Sequence, residues 1–123
     1  MNRLVIHGRL PGLNEWTREN RRDKRAGNRL KRQAEDFVIL CIKQSKLGKV
    51  QTPCIMKYTW YEYDRRRDLD NVSSFGRKVI QDALVKSGKL GGDGWAYIRG
   101  FSDRFEVDKA NPRIEVEFME VTR

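Results

Sequence analysis

The chain has 123 residues, enough for one domain with a modest core and too few for two. Its 26 lysines and arginines outnumber 17 aspartates and glutamates, which gives a formal net charge of +9. This excess favours nucleic acid as the partner over plain solubility or binding to an anionic membrane surface. No long apolar run is present and the first residues are polar, so we expect a cytoplasmic protein without membrane span or secretory signal.

The first residues predict a strand followed by a turn. Residues 3–9 (RLVIHGR) alternate in character, and a Pro-Gly dipeptide lies within residues 10–14. His7 is the one histidine, and we expect it to be packed or solvated rather than catalytic. Cys41 and Cys54 have no metal-ligand spacing, which predicts two reduced core thiols.

Residues 15–32 are dense in charge and poor in apolar side chains. This pattern fits a solvated helix and a mobile loop equally well. In either form the segment can bind a phosphate backbone, whereas Trp16 is expected to pack over a helix start more often than to stack on a base. The cations of the segment are Arg18, Arg21, Arg22, Lys24, Arg25, Arg29, Lys31 and Arg32.

A clearer helix is predicted from about Asn28, a possible cap, with Gly48 as its stop. Its apolar face contains Phe37, Val38 and Ile42. Residues 54–63 (CIMKYTWYEY) then form the strongest strand prediction, because they are rich in β-branched and aromatic side chains.

The strand leads into residues 65–84 (RRRDLDNVSSFGRKVIQDAL), which we interpret as the functional centre. Apolar residues at steps of three and four predict a helix that Asp70 or Asn71 can cap. Asp68 and Asp70 therefore lie between a strand end and a helix start, where open α/β sheets tend to bind ligands. The three preceding arginines, Arg65, Arg66 and Arg67, are suited to bind phosphate.

A glycine-rich loop follows this helix and contains Asp93. An isolated acid in such a loop is usually an ordinary turn residue, but the chain can also fold back and bring Asp93 to Asp68 and Asp70 as a third ligand. Two more strands are predicted around residues 97–107 and 114–118. Their alternation predicts a half-exposed antiparallel hairpin.

Carboxylates of this kind predict a Mg²⁺ site, in which Mn²⁺ can substitute. Mg²⁺ prefers oxygen ligands and commonly uses one or two carboxylates, waters and substrate phosphate oxygens. Asp68, Asp70 and Asp93 are the candidate metal ligands. Lys78 lies roughly 10 Å beyond Asn71 along the helix and can neutralise a phosphate, or it can simply pair with Asp82 four residues later.

The residues alone therefore indicate a metal-dependent enzyme acting on nucleic acid. At the same positions the chain resembles the RusA family of Holliday-junction resolvases, endodeoxyribonucleases often carried by phages and prophages. The matching pieces are Pro11-Gly12-Leu13-Asn14, Arg67-Asp68-Leu69-Asp70-Asn71, Lys78 before Asp82-Ala83-Leu84, and Asp93.

The resemblance implies a homodimer that nicks four-way DNA junctions symmetrically with magnesium or manganese, with Asp68, Asp70, Asp93 and Lys78 catalytic and Asn14 beside the DNA. It also implies a RusA-like α+β fold over residues 1–123, with a mixed sheet of about four strands and two main helices. Two features differ from the family pattern: a longer interval between DLDN and DAL, and a single acid in Gly-Gly-Asp-Gly. A degenerate member that only binds nucleic acid and a basic, ribosome-associated protein are the alternatives.

Overall fold

The computed structural model describes residues 3–121 and contains four strands and three helices over that range. In chain order the elements are β1 (Arg3–His7), α1 (Leu13–Arg22), α2 (Lys24–Gln44), β2 (Cys54–Glu62), α3 (Leu69–Lys86), β3 (Ile98–Val107) and β4 (Arg113–Glu120). The predicted α+β class with a four-stranded mixed sheet is confirmed. The two long helices, α2 and α3, were expected, and α1 is an additional one.

The sheet has the strand order β1-β4-β2-β3. β4 pairs antiparallel with both β1 and β2, and β3 pairs parallel with β2. The predicted β3–β4 hairpin is therefore wrong, because β2 lies between the two strands. The link between them passes over the end of β2, where the Asp108 N–H donates to the Glu62 carbonyl at 2.9 Å. Alternation along a strand specifies which face is buried and leaves the partner strand open.

One face of the sheet carries the hydrophobic core and the helices. Along β2, Met56, Tyr58 and Trp60 are buried, while the intervening side chains are only partly covered or exposed. Every helix and strand contributes a buried or partly buried side chain to one contiguous core. The opposite face is polar, with Arg113 pairing to Glu115 across 2.7 Å.

The charged segment around residues 15–32 is helical, which decides between the two alternatives for it. It forms α1 and the beginning of α2, separated at Asp23, whose side chain accepts a hydrogen bond from the Arg25 N–H at 2.9 Å. The predicted helix start at Asn28 is wrong, because α2 begins four residues earlier, at Lys24, with Asp23 as its cap. The helix also ends before Gly48, at Gln44, where the Ser45 N–H bonds back to the last turn.

Helix α3 begins at Leu69, and Asp68 occupies the position just before it. The prediction that the side chain of Asp70 or Asn71 caps the helix is wrong, since both residues lie inside the first turn, and Asp68 makes no side-chain capping bond. The helix ends at Lys86, and Gly88, two residues later, has a φ of 75°, the left-handed conformation that glycine adopts without strain.

Trp16 packs on Phe75 of α3, with ring centroids 5.6 Å apart, as expected from the sequence. Both cysteines are free, and burial raises the pKa of each thiol, which keeps them in the unreactive protonated form. His7 is solvent-exposed. Within residues 3–121, none of the helices is long and apolar enough to pass through a bilayer.

Close packing at Gly76 generates the first prediction. A Cβ atom there would lie 2.9 Å from the ring of Trp60, which is only 2 % exposed. A valine side chain at position 76 would overlap this ring, so we expect Gly76→Val to lower the free energy of unfolding by about 1–3 kcal/mol. Urea denaturation followed by circular dichroism measures this change.

Gly48→Val is the matched control, because a Cβ atom at Gly48 meets nothing within 4 Å. It should change the free energy of unfolding by less than about 0.5 kcal/mol. Equal stabilities of the two variants would contradict the proposed contact between α3 and the sheet.

Candidate functional site

Asp68 and Asp70 stand at the N-terminal end of α3, directly after the loop that follows β2. Both are solvent-exposed, and neither makes an ion pair with any side chain of residues 3–121. The backbone carbonyl of Asp68 accepts the first helical hydrogen bond, from the Val72 N–H at 3.0 Å. The positive end of the helix dipole stabilises carboxylates at this position. Two acids are therefore presented to solvent on a fixed helix start.

Arg67 fastens the loop that carries these acids. Its guanidinium donates to the Leu10 carbonyl at 3.1 Å, pairs with Glu15 of α1, and lies 3.8 Å from Glu62 at the end of β2. Glu62 is 9 % exposed and is also held by Arg9 at 2.9 Å. The hydrogen bond to Glu62 raises the pKa of Arg9, so this guanidinium stays charged.

Two of the three predicted phosphate-binding arginines have exposed side chains. Arg66 has a side chain that is 90 % exposed and lies 3.4 Å from Asp64, and Arg65 is exposed beside it. The guanidinium of Arg67 instead contacts protein groups, so this residue holds the loop in position. Phosphate binding stays a prediction for Arg65 and Arg66.

A cleft of about 350 Å³ lies beside this loop, between the start of α3 and the end of β3. Arg65 and Arg67 line one side, and Leu69 and Val72 of α3 form its apolar floor. Its remaining walls are acidic or apolar side chains of both strands: Glu62, Asp64, Phe105, Glu106 and Val107. Arg65, which is exposed, and Arg67 are the cationic part of a cleft whose other lining residues are acidic or apolar.

The start of α1 is attached to the start of α3. The Asn14 N–H donates to the Asn71 side-chain oxygen at 2.7 Å. Gly12 lies against the same side chain, and a Cβ atom there would come within 2.7 Å of it. Residues 11–14 (Pro-Gly-Leu-Asn) thus have a structural role, because they bring α1 into contact with the helix that carries Asp68 and Asp70.

The predicted cationic side chains of α1 and early α2 lie on the surface. Arg22 pairs with Glu19 at 3.3 Å, whereas Arg18, Arg21, Lys24 and Arg25 pair with no acid among residues 3–121. A shallow cleft of about 380 Å³ is formed by Asn14, Thr17, Arg18 and Arg21. The basic surface, which we define as Arg18, Arg21, Arg22, Lys24 and Arg25, begins one helical turn from Asn14.

Lys78 and Asp93 are in direct contact. The Lys78 ammonium lies 3.0 Å from Asp93 and 3.2 Å from Asp82, and Asp82 is also 3.3 Å from Lys31. The hydrogen bonds to Asp93 and Asp82 raise the pKa of Lys78, and the bond to Lys78 lowers the pKa of Asp93. The helical pairing with Asp82, kept open as an alternative, is present.

The structure brings Asp93 to Lys78 and not to the other two acids. Lys78 is eight residues beyond Asp70, about 12 Å along the axis at the rise of an α-helix. Within residues 3–121, no three His, Cys, Asp or Glu side chains are grouped so that they could hold one ion. A third-ligand role for Asp93 stays a prediction, and it requires this carboxylate to leave Lys78.

Sequence reasoning missed the ion pairs of Glu62, which lies close to Arg67 and is also bound by Arg9. Glu62 at the end of the aromatic strand β2 could have indicated this network, because a buried carboxylate needs a cationic partner. It also gave little weight to Trp95, whose side chain is 90 % exposed two residues after Asp93.

No protein-family model matches the chain, and no curated protein matches it significantly. Membership of the RusA family accordingly stays a prediction that depends on the motif residues named above.

The Arg67 contacts generate the second prediction. Arg67→Ala leaves Glu15 and the nearly buried Glu62 each short of a partner, so we expect the free energy of unfolding to fall by about 1–3 kcal/mol. Arg66→Ala removes the same charge from an exposed neighbour and should cost less than about 0.5 kcal/mol. Chemical denaturation at equal salt compares them, and similar losses in both variants would refute the positioning role.

Proposed function

We propose that this protein is a metal-dependent, structure-selective endodeoxyribonuclease that resolves four-way DNA junctions by paired symmetric nicks. One observation carries the proposal: Asp68 and Asp70 face solvent at a helix start, without an ion-pair partner among residues 3–121. The chain has a net charge of +9, and most other acids of residues 3–121 lie in ion pairs. Two unpaired acids one residue apart are therefore suited to a cation that arrives from solution.

The two carboxylates supply the oxygen ligands that Mg²⁺ and Mn²⁺ prefer. Such ions are commonly held by one or two carboxylates, with water and substrate phosphate oxygens as the remaining ligands. Asp68 and Asp70 would hold the ion, which would supply an activated water and stabilise charge on the phosphate oxygens. The loop fixed by Arg67 keeps both acids at one position relative to β2.

Cationic side chains complete the proposed site. Arg65 and Arg66 extend from the same loop and would bind phosphate oxygens flanking the scissile bond. Lys78 would neutralise charge on a phosphate lying along α3, in place of its present bond to Asp93. The substrate phosphate and Asp93 would then compete for one ammonium group.

DNA would reach the acids over the basic surface. Asn14 contacts Asn71 in the first turn of α3, and Arg18 and Arg21 follow Asn14 on the same side of α1. A phosphate backbone on these arginines would therefore continue toward Asp70. This path uses residues that the fold leaves free for an external partner.

The proposal includes a homodimer and a cytoplasmic location. A four-way junction has approximate two-fold symmetry, so two copies related by a two-fold axis would present one active site to each of two strands. Symmetric nicking requires this arrangement, since a single site cuts one strand at a time.

A non-catalytic nucleic-acid-binding module is the second candidate. The ion pairs of Lys78 with both Asp82 and Asp93 favour it, because a lysine held by two carboxylates also serves as an ordinary structural link between α3 and the following loop. The basic surface would serve this alternative equally well.

The third prediction separates the two candidates. Asp70→Asn removes a charge that would hold the ion, so cleavage of a synthetic four-way junction in Mg²⁺ should fall at least about 100-fold. Junction binding should be unchanged or tighter, because a negative charge near the phosphates is lost. Gel assays of cleavage and binding, with and without Mg²⁺ or Mn²⁺, measure both quantities.

Asp36→Asn is the matched control, since Asp36 is an exposed acid of α2 that pairs with no cation in the described part of the chain. It should cleave the junction at the rate of the unaltered protein. A linear duplex of the same sequences should remain uncut. Tight junction binding without any cutting by the unaltered protein would favour the non-catalytic module.

The fourth prediction concerns salt. Replacing Arg18, Arg21 and Arg25 together by glutamine should lower the slope of log affinity against log salt by about 0.9 for each phosphate contact that is lost. Fluorescence anisotropy with labelled junction DNA, over a series of salt concentrations, gives the slope.

The corresponding control replaces the exposed Lys43, Lys46 and Lys49, around the far end of α2, by glutamine. It removes the same charge and should leave the slope nearly unchanged. If both triple variants flatten the slope equally, net charge rather than the basic surface determines binding.

A further inference from the structure

Trp95 is the most exposed large apolar side chain among residues 3–121. Its side chain is 90 % exposed, whereas Trp16 packs on Phe75 and Trp60 is buried in the core. Burial of an indole removes more apolar surface from water than burial of most other side chains, so a solvent-exposed indole lacks a large stabilising contribution. A tryptophan this exposed therefore indicates an external partner more strongly than a single exposed leucine does.

The turn that carries Trp95 is firmly built. The Tyr97 and Ile98 N–H groups both donate to the Gly94 carbonyl, at 2.9 and 3.0 Å. The Tyr97 ring lies against Gly91 and Gly92, where added Cβ atoms would come within 2.6 and 2.8 Å of it. Trp95 is thus held outward by its backbone.

The surroundings of Trp95 form an open cleft of about 460 Å³ on the sheet-edge side of α3. Phe101, 52 % exposed, supplies a second aromatic surface, and Gln81 supplies an amide for hydrogen bonding. Arg99 donates from Nε to the backbone carbonyl of Trp95 at 3.0 Å, which holds a cation beside the backbone of that residue. The cleft therefore combines two aromatic side chains, one amide and one guanidinium.

We propose that Trp95 is a stacking platform for an unpaired nucleobase, with Arg99 binding the phosphate of the same nucleotide. A flat base fits an aromatic face regardless of sequence, and the cation complements the charge attached to it. This inference rests on the proposed function in that it takes branched DNA, with base pairs opened at the branch point, as the ligand.

A nucleobase suits this cleft better than a second copy of the chain. The volume lies in the range of small-molecule sites. Stable protein interfaces need about 800 Å² on each partner and a core depleted of charge. Asp93 and Arg99 line the same cleft as the aromatic side chains, so its lining is not depleted of charge.

The test uses oligothymidylate of about ten nucleotides, which has no internal base pairs and the length of one single-strand site. Trp95→Ala should lower affinity for this probe about 5-fold to 150-fold at constant salt, the range given by loss of one stacked base. Trp95→Phe should lose less, because a phenyl ring still stacks. The quenching of tryptophan emission on binding should disappear in both variants, because Trp16 and Trp60 are covered.

Two controls separate stacking from other causes. Leu40→Ala removes an exposed apolar side chain of α2, 51 % exposed, and should leave affinity for the oligothymidylate unchanged. An abasic oligonucleotide of the same length presents phosphates without bases, and Trp95→Ala should bind it as tightly as the unaltered protein.

The inference is overturned if the unaltered protein does not bind oligothymidylate, or if Trp95→Ala binds it with unchanged affinity. It is also overturned if Trp95→Ala changes only the sedimentation coefficient, since the side chain then serves a second copy. Loss of oligothymidylate affinity in Trp95→Ala, together with undiminished junction cleavage by Asp70→Asn, would refute the proposed catalytic site alone. Abolished cleavage by Asp70→Asn with unchanged base binding by Trp95→Ala would refute only the stacking platform.

Discussion

The contacts of Arg67 with Glu62, Glu15 and Leu10 are the constraint on which the candidate site depends. They join the end of β2, the start of α1 and the loop before α3 at one guanidinium. Glu62 is almost fully covered by protein, and a carboxylate in such a position is stable only with cationic partners. The position of Asp68 and Asp70 thus follows from an ion-pair network that lies behind them.

The same network separates two groups of cations in this strongly basic chain: those that stabilise the fold and those that stay exposed to solvent. Arg9 and Arg67 are used inside the fold, and the arginines of α1 and early α2 remain at the surface. Trp16 allows this division, because its packing on Phe75 attaches α1 to α3 through one apolar contact. The rest of α1 is then free to be cationic.

The sequence predicted the sheet content, the long helices and the strand-to-helix position of Asp68 and Asp70, because periodic apolar residues report directly on local structure. It left the form of residues 15–32 open, since that segment has few apolar residues and is stabilised by Trp16 and the Asp23 cap. The hairpin of β3 and β4 was mispredicted because no local pattern in either strand indicates that β2 lies between them. The partner of Asp93 depends on the path of a loop, which spacing alone does not determine.

The position of β4 has a consequence for how the chain acquires its structure. This strand comes last in sequence but lies between β1 and β2, and Leu4 pairs with Val116. On a ribosome, β1 therefore obtains its neighbour only after the other two strands, the three helices and β4 have been synthesised, and the apolar side chains of Leu4 and Ile6 lack that neighbour until then. Pairing between such distant segments also makes folding slower than in a helical bundle of the same size.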